Sequence, residues 1–126
     1  MLLTPRLQTL FLINATVLIT HQIDAAYWHE WELFHLPGGN QLNLLLNLPI
    51  IALVLYAQGR VAINKKASVF YYKLIAFLGF LTVVIHCAFV IAGNEAFMQP
   101  MSIALLIATS LLSGTQLLLL RTVARD

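Results

Sequence analysis

The chain has 126 residues, of which 60% are hydrophobic and only 10% are charged, and its formal net charge at pH 7 is +2. Soluble proteins carry about 25% charged residues, so this composition, with a mean hydropathy of +0.86, predicts an integral membrane protein without a separate soluble domain. The small net charge argues against a nucleic-acid partner, and the single cysteine excludes an intramolecular disulfide.

Four apolar segments approach the length of about 20 residues that a helix needs to cross a hydrocarbon core. The first span is predicted at about 6–28, and because no helix breaker precedes Pro37 it can extend to residue 35 as one rod. The other spans are predicted at about 41–58, 69–92 and 100–120, with Pro49 inside the second and Pro100 starting the fourth. The expected fold class is therefore all-α, an integral membrane four-helix bundle that forms one domain over residues 1–126.

Basic residues indicate how these spans are oriented. In a four-span arrangement all seven Lys and Arg residues fall on one side, namely Arg6, Arg60, Lys65, Lys66, Lys73, Arg121 and Arg125. Because Lys and Arg accumulate in cytoplasmic loops, both termini are predicted to be cytoplasmic. All four histidines and four of the five acidic residues lie on or near the opposite, extracytoplasmic side.

The segment 21–35 concentrates the polar chemistry, since it holds three of the four histidines and three of the five acidic residues. On one continuous helix, five of its side chains share a face: His21, Asp24, Trp28, Glu32 and His35. Counting along the helices from the basic residues at about 1.5 Å per residue places four polar groups at similar depths of about 18–22 Å, namely His21, Asn47, His86 and Thr109. These groups are therefore predicted to meet at one site in the outer half of the bundle.

Imidazole and carboxylate groups three or four residues apart on a helix suit a metal ion. We predict that His21, Asp24 and His86 are ligands for zinc, iron or copper, and no other cofactor is expected. Trp28, Glu32 and Asn47 are predicted to complete a ligand-binding site around them.

The same residues also have structural interpretations. His21 bonded to Asp24 or to a helix carbonyl would stabilise the bundle without binding a ligand, and the residues His29, Glu30 and Glu32 fit a solvated interfacial face. Hydrogen bonds between helices are predicted for Asn14, Asn43, Asn47 and the Ser and Thr residues of the fourth span. No nucleophile, cofactor motif or phosphate loop is visible, so no catalytic residue is predicted.

The stretch His21-Gln-Ile-Asp24-Ala25, followed by Trp28-His29-Glu30-Trp31-Glu32 and by Pro49 in the next span, resembles a family of small bacterial membrane proteins of unknown function. The resemblance is close over about the first sixty residues, and over the remaining residues it is limited to the topology of the predicted spans. The chain is also remotely similar to small four-helix membrane families with a His-x-x-Glu-Glu motif, although Asp24 and Ala25 stand at its acidic positions. These resemblances support His21 and Asp24 as functional residues and imply no particular activity.

We therefore expect a small polytopic protein of a bacterial inner membrane, with a histidine and carboxylate site near the extracytoplasmic face that binds a metal ion or a small or lipidic ligand. Two alternatives stand beside this hypothesis. One is a structural or accessory subunit of a larger membrane complex, and the other is a membrane enzyme that uses a His/Asp acid-base pair on a lipid-soluble substrate. The expected partners are the lipid bilayer and either a second copy of the chain or a larger membrane protein.

Overall fold

The computed structural model describes residues 2–123, which contain helices and no strands. The helices are α1 (Pro5–Tyr27), α2 (Glu30–Leu33), α3 (Gly39–Ile63), α4 (Ser68–Ile91) and α5 (Pro100–Val123). The predicted all-α fold class is confirmed. Arg125, one of the basic residues used to predict orientation, lies outside the described residues.

Three of the long helices have the length and composition of membrane-spanning helices. The most hydrophobic windows of α3, α4 and α5 have mean hydropathies of 1.6, 2.7 and 2.0, and helices of this length exceed a hydrocarbon core about 30 Å thick. Many of their large apolar side chains point away from the bundle, among them Leu48, Phe77 and Leu118, which are 69%, 59% and 64% exposed. An apolar outer surface of this extent is typical of a membrane protein.

α1 packs against α3, α4 and α5. The Thr4 hydroxyl caps its N-terminus by accepting a hydrogen bond from the Leu7 N–H at 3.3 Å, and Pro5 occupies the first turn, where its missing N–H is not needed. The buried face of α1 includes the polar residues Asn14 and His21. α1 is not among the helices that length and composition alone mark as able to cross a membrane.

The starts of α1 and α4 and the ends of α3 and α5 meet at one end of the bundle. Leu3, Val61, Tyr72 and Leu120 belong to the same buried apolar cluster. Asn64, which follows α3, accepts a hydrogen bond from the Leu3 N–H and donates one to the Leu3 carbonyl, both at 2.7 Å. We call this the basic end, because the described basic residues lie on or near the helix termini that meet here: Arg6, Arg60, Lys65, Lys66, Lys73 and Arg121.

The expected single rod to residue 35 is interrupted after α1. His29 has a left-handed backbone conformation, with φ 51°, and the chain then forms the single helical turn of α2. On a continuous helix Glu30 would point away from the polar face of α1, whereas the break turns Glu30 and Trp31 inward and leaves Trp31 only 7% exposed. The polar face predicted for 21–35 therefore ends with α1.

A buried polar layer connects α1 to α5 in the interior of the bundle. The Asn14 amide nitrogen donates hydrogen bonds to Ser113 Oγ at 3.0 Å and to Gln116 Oε1, and the amide oxygen accepts one from Thr109 Oγ1 at 2.8 Å. The predicted interhelical role of Asn14 is thereby confirmed. Thr109, which depth counting placed with the histidines, belongs to this layer instead.

Candidate metal centre

Three helices bring two histidines and one carboxylate together at the end of the bundle opposite the basic end. One possible ligand atom from each of His21 in α1, Glu30 in α2 and His86 in α4 lies within 4.8 Å of the other two. Both histidines are buried, with 2% and 3% of their surface exposed. Within residues 2–123, this is the group of His, Cys, Asp and Glu side chains whose spacing suits a metal ion.

His86 is held so that one ring nitrogen is free. Its Nδ1 lies 2.7 Å from the carbonyl oxygen of Thr82, one turn earlier in α4, and donates a hydrogen bond to it. That bond assigns the proton to Nδ1 and leaves a lone pair on Nε2. Nε2 is 3.7 Å from Glu30 Oε1 and is buried without a hydrogen-bond partner. An imidazole anchored through one nitrogen and free at the other is arranged as metal-ligating histidines are.

His21 contributes the second imidazole. Its ring meets the His86 ring edge to face, with centroids 4.6 Å apart, and its Nδ1 is buried without a hydrogen-bond partner. Phe97, in the connection between α4 and α5, packs against both rings, with centroid distances of 4.4 Å to His86 and 5.8 Å to His21. Phe97 has a left-handed backbone conformation, with φ 65°, which is costly for an aromatic residue. Its ring covers one side of the two histidines.

Glu30 supplies the carboxylate. Burial raises the pKa of its carboxyl to about 7, and the charge of the Asp24 carboxylate adds to this effect. The side chain remains 18% exposed. Each buried polar atom without a partner costs about 1–3 kcal/mol, so the cluster favours a group that satisfies the His86 Nε2 lone pair and the carboxylate at once. A divalent cation does this, because it replaces the carboxyl proton and accepts the lone pair.

The spacing fits a small metal ion after a modest contraction. Metal–ligand distances of about 2.0–2.1 Å in a tetrahedral zinc site place neighbouring ligand atoms about 3.3 Å apart. The 3.7 Å between His86 Nε2 and Glu30 Oε1 is close to this value. The remaining separations, all within 4.8 Å, require small rotations of the side chains, and Glu30 has three rotatable bonds with which to make them.

A cavity of about 200 Å³ adjoins the three side chains and reaches Asn47 of α3. The Asn47 amide nitrogen donates hydrogen bonds to the Asn43 carbonyl and side-chain oxygens, both at 2.9 Å, so these asparagines pair within α3 and not between helices. Asn47 Oδ1 is buried without a partner. The cavity therefore offers polar lining and room for a water or small ligand beside the cluster.

Asp24, the carboxylate predicted as a ligand, lies in a neighbouring hydrogen-bonded chain. Trp28 Nε1 donates to Ser102 Oγ at 3.3 Å, and the Ser102 hydroxyl donates to Asp24 Oδ1 at 3.0 Å. The second oxygen of Asp24 is buried without a partner. These bonds tie the end of α1 to the start of α5, and Asp24 is outside the group formed by His21, Glu30 and His86.

Three other polar residues of 21–35 lie on the surface, namely His29, Glu32 and His35. Glu32 Oε1 is 3.5 Å from His29 Nδ1, and their side chains are 67% and 58% exposed, so this pair contributes little to stability. His35 is exposed as well. Glu32, predicted as a ligand-binding residue, does not line the cavity beside the histidines.

Glu30 is the site residue that the sequence interpretation missed. Its helical position places it about 180° from His21, and only the left-handed conformation of His29 turns it inward. Burial of the neighbouring Trp31, which is 7% exposed, accompanies this inward turn, and helical periodicity gives no signal of it.

The described residues thus define a helical protein with three helices long and apolar enough to cross a membrane, and with a cluster of two buried histidines and a glutamate. A family match over residues 7–123 shows that the chain belongs to DUF6713, a family of unknown function. This confirms the part of the expected resemblance that concerns a family of unknown function. No curated protein and no solved structure significantly matches the chain.

Proposed function

We propose that this protein is a metal-binding membrane protein that holds a divalent transition metal ion, zinc or ferrous iron, on His21, Glu30 and His86. Two observations carry the proposal: one ring nitrogen of each histidine and one Glu30 oxygen lie within 4.8 Å of one another, and each histidine has a buried ring nitrogen without a hydrogen-bond partner. In a structural role each of these nitrogens would be expected to have a hydrogen-bond partner.

The types of ligand atom in the cluster limit which metal ions it can bind. Two imidazoles and one carboxylate form the protein ligands of catalytic zinc sites and of non-haem ferrous sites, both of which keep a coordination position open. The cavity beside Asn47 supports such an open position. When bound, the metal would polarise an oxygen of a ligand or water placed there. The absence of a Cys side chain from the cluster disfavours a soft ion such as Cu(I).

The proposal includes a membrane topology in which α1 is a fourth span. Its 23 residues give a length of about 34 Å, and its polar side chains Asn14 and His21 are buried inside the bundle, so that lipid would not meet them. With the basic end in the cytoplasm, the metal site opens toward the extracytoplasmic side. Reporter fusions after residue 36 and after residue 66 test this, because only the second should report a cytoplasmic location.

Metal analysis of purified variants tests the site itself. The Glu30→Gln variant keeps the side-chain shape but removes the charge, and the His86→Gln variant removes an imidazole. Each is expected to lower the bound zinc or iron by about tenfold or more, the scale seen even for residues that only support metal ligands. The matched controls are Glu32→Gln and His35→Gln, since these exposed residues lie outside the cluster and should leave the metal content unchanged.

The outcome of this comparison is decisive in both directions. Stoichiometric metal in the wild type and in both controls, lost in both cluster variants, supports the proposal. A wild-type protein without metal after growth in zinc and iron and loading in vitro, or equal metal content in the Glu30 and Glu32 variants, contradicts it.

A further inference from the structure

The cavity beside Asn47 is the space from which a ligand can reach the candidate metal centre. Its lining includes all three cluster residues, His21, Glu30 and His86, so a molecule inside it lies next to the possible metal-binding atoms. Helix α3 adds the polar side chains Asn43 and Asn47 to the same lining. A ligand in this cavity therefore meets the metal ion and the polar groups of α3 together.

The side chain of Asn47 presents a fixed hydrogen-bond acceptor to this space. Its amide nitrogen lies 2.9 Å from the backbone carbonyl oxygen of Asn43. Because a carbonyl oxygen only accepts hydrogen bonds, the nitrogen and oxygen of the Asn47 carboxamide cannot exchange places. The same nitrogen donates to Asn43 Oδ1, also at 2.9 Å. Both N–H groups are thus used, and Asn47 Oδ1 is the atom that is buried without a partner.

We infer that the metal ion and Asn47 Oδ1 together select a small protic ligand, one that presents an oxygen atom to the ion and, beside it, an N–H or O–H group to Asn47. The inference rests on the proposed metal site and names the class of ligand that this site takes. Primary amides, hydroxamic acids and oxyacids that keep a proton carry this pair of groups.

The two halves of the ligand follow from the two sides of the site. With three protein ligands, a zinc or ferrous ion keeps a position for water or for an oxygen atom of a bound molecule. A molecule that fills this position but has no N–H or O–H group leaves Asn47 Oδ1 buried and unpaired. It is therefore expected to bind about tenfold more weakly than one that donates a hydrogen bond.

The cavity also limits the size of the ligand. At about 30 Å³ for each non-hydrogen atom, the share of a water molecule in the liquid, its volume of about 200 Å³ holds roughly six atoms. A round space of this volume is about 7 Å across, so a molecule of this size can contact the ion and Asn47 at once.

The position of the cavity favours a ligand that arrives from water. Asn43 is four residues from the first residue of α3, Gly39, which is about 6 Å along the helix. The cavity therefore lies near the end of the bundle opposite the basic end. Its polar lining offers hydrogen-bond partners that a hydrocarbon chain would leave unsatisfied.

Two hydroxamic acids test the inference, because they bring the same two oxygen atoms to a metal ion and differ in the hydrogen-bonding group beside them. Acetohydroxamic acid has an N–H group there, and N-methylacetohydroxamic acid has none. Both are within the size limit of the cavity. Their binding to the Co²⁺-loaded protein in detergent is followed by the change in the cobalt absorption spectrum.

The variant Asn47→Leu removes the acceptor and keeps a side chain of similar size. Its control is Gln41→Leu, which makes the same kind of change at an exposed amide of α3 outside the cavity. We expect the preference for acetohydroxamic acid over its N-methyl derivative to be about tenfold smaller in Asn47→Leu than in the wild type and in Gln41→Leu. Comparing preferences cancels any difference in the intrinsic metal affinity of the two acids. Asn47→Ala repeats the test in case leucine disturbs the packing of α3.

The cobalt content separates failure of this inference from failure of the metal site. A wild-type protein that binds no cobalt overturns both. The inference alone is overturned if the cobalt-loaded wild type does not bind acetohydroxamic acid, or if both Asn47 variants show the preference of the wild type. Loss of cobalt from both Asn47 variants also contradicts it, because Asn47 would then support the metal ion and not select the ligand. A smaller preference in the cobalt-loaded Asn47 variants, with the preference kept in Gln41→Leu, supports the inference.

Discussion

Protonation of Glu30 should make the stability of the metal-free protein depend on pH. Burial raises the pKa of this carboxyl from its ordinary value of 4.5 to about 7, and the Asp24 carboxylate adds to the effect. Between these two values the folded protein holds a proton that the unfolded chain has released, so the contribution of Glu30 to the free energy of unfolding falls as pH rises. This contribution is highest below about pH 4.5 and reaches its lower level above about pH 7.

The magnitude follows from the same two values. The interval from 4.5 to about 7 corresponds to about 3 kcal/mol, at about 1.4 kcal/mol for each pH unit. Screening by water reduces this figure, because the side chain is 18% exposed. A decrease of about 1–3 kcal/mol in the contribution of Glu30 is therefore expected.

The assay is unfolding of chelator-treated protein in mild detergent at about pH 5 and about pH 7.5, which bracket most of this interval. From the lower to the higher pH, the free energy of unfolding of Glu30→Gln should change by about 1–3 kcal/mol more favourably than that of the wild type, since its amide does not titrate. Glu32→Gln should change as the wild type does, because Glu32 is exposed and outside the cluster. Equal changes in Glu30→Gln and the wild type refute the reasoning. Added metal should stabilise the wild type more at the higher pH, because the metal competes with the proton for Glu30.

Two further predictions concern the packing that supports the site. A Cβ at Gly79 would overlap the Ser113 hydroxyl and lie 2.6 Å from Thr109 Oγ1. Gly79→Ala should therefore destabilise the bundle by about 1–3 kcal/mol. The control Gly59→Ala, whose added Cβ has no neighbour within 4 Å, should be neutral or slightly stabilising. Asn14→Ala removes three hydrogen bonds between α1 and α5 and should cost about 2 kcal/mol at roughly 0.6 kcal/mol per bond inside a membrane bundle. Denaturant titration in mixed micelles measures both effects, and equal stability of the two glycine variants, or of the wild type and Asn14→Ala, would contradict them.

Local pattern and charge were sufficient to predict the pairing of His21 with His86. Each lies a similar number of residues from a basic residue at the opposite end of its helix, and polar side chains avoid lipid, so both had to turn inward at a similar depth. The structure places their rings 4.6 Å apart. Asn47 lines the cavity beside them, as the same counting predicted.

The third partner was not accessible to this reasoning, because helical periodicity assumes that the helix continues. Asp24 shares the face of His21 on an uninterrupted helix, and Glu30 does not. The left-handed conformation of His29 changes that relation. Trp31 is buried where the helix is interrupted at His29. The residue types at 27–30 do not predict that interruption.

The sequence by itself determined the all-α class, the apolar outer surface and the inward placement of two histidines, because these depend on composition, on 3.6-residue periodicity and on the cost of exposing polar groups to hydrocarbon. Only the tertiary structure decided that Glu30 joins them and that Asp24 is bonded to Ser102. Those features arise at and beyond the end of α1, where contacts between residues distant in sequence, and not local propensity, determine the conformation.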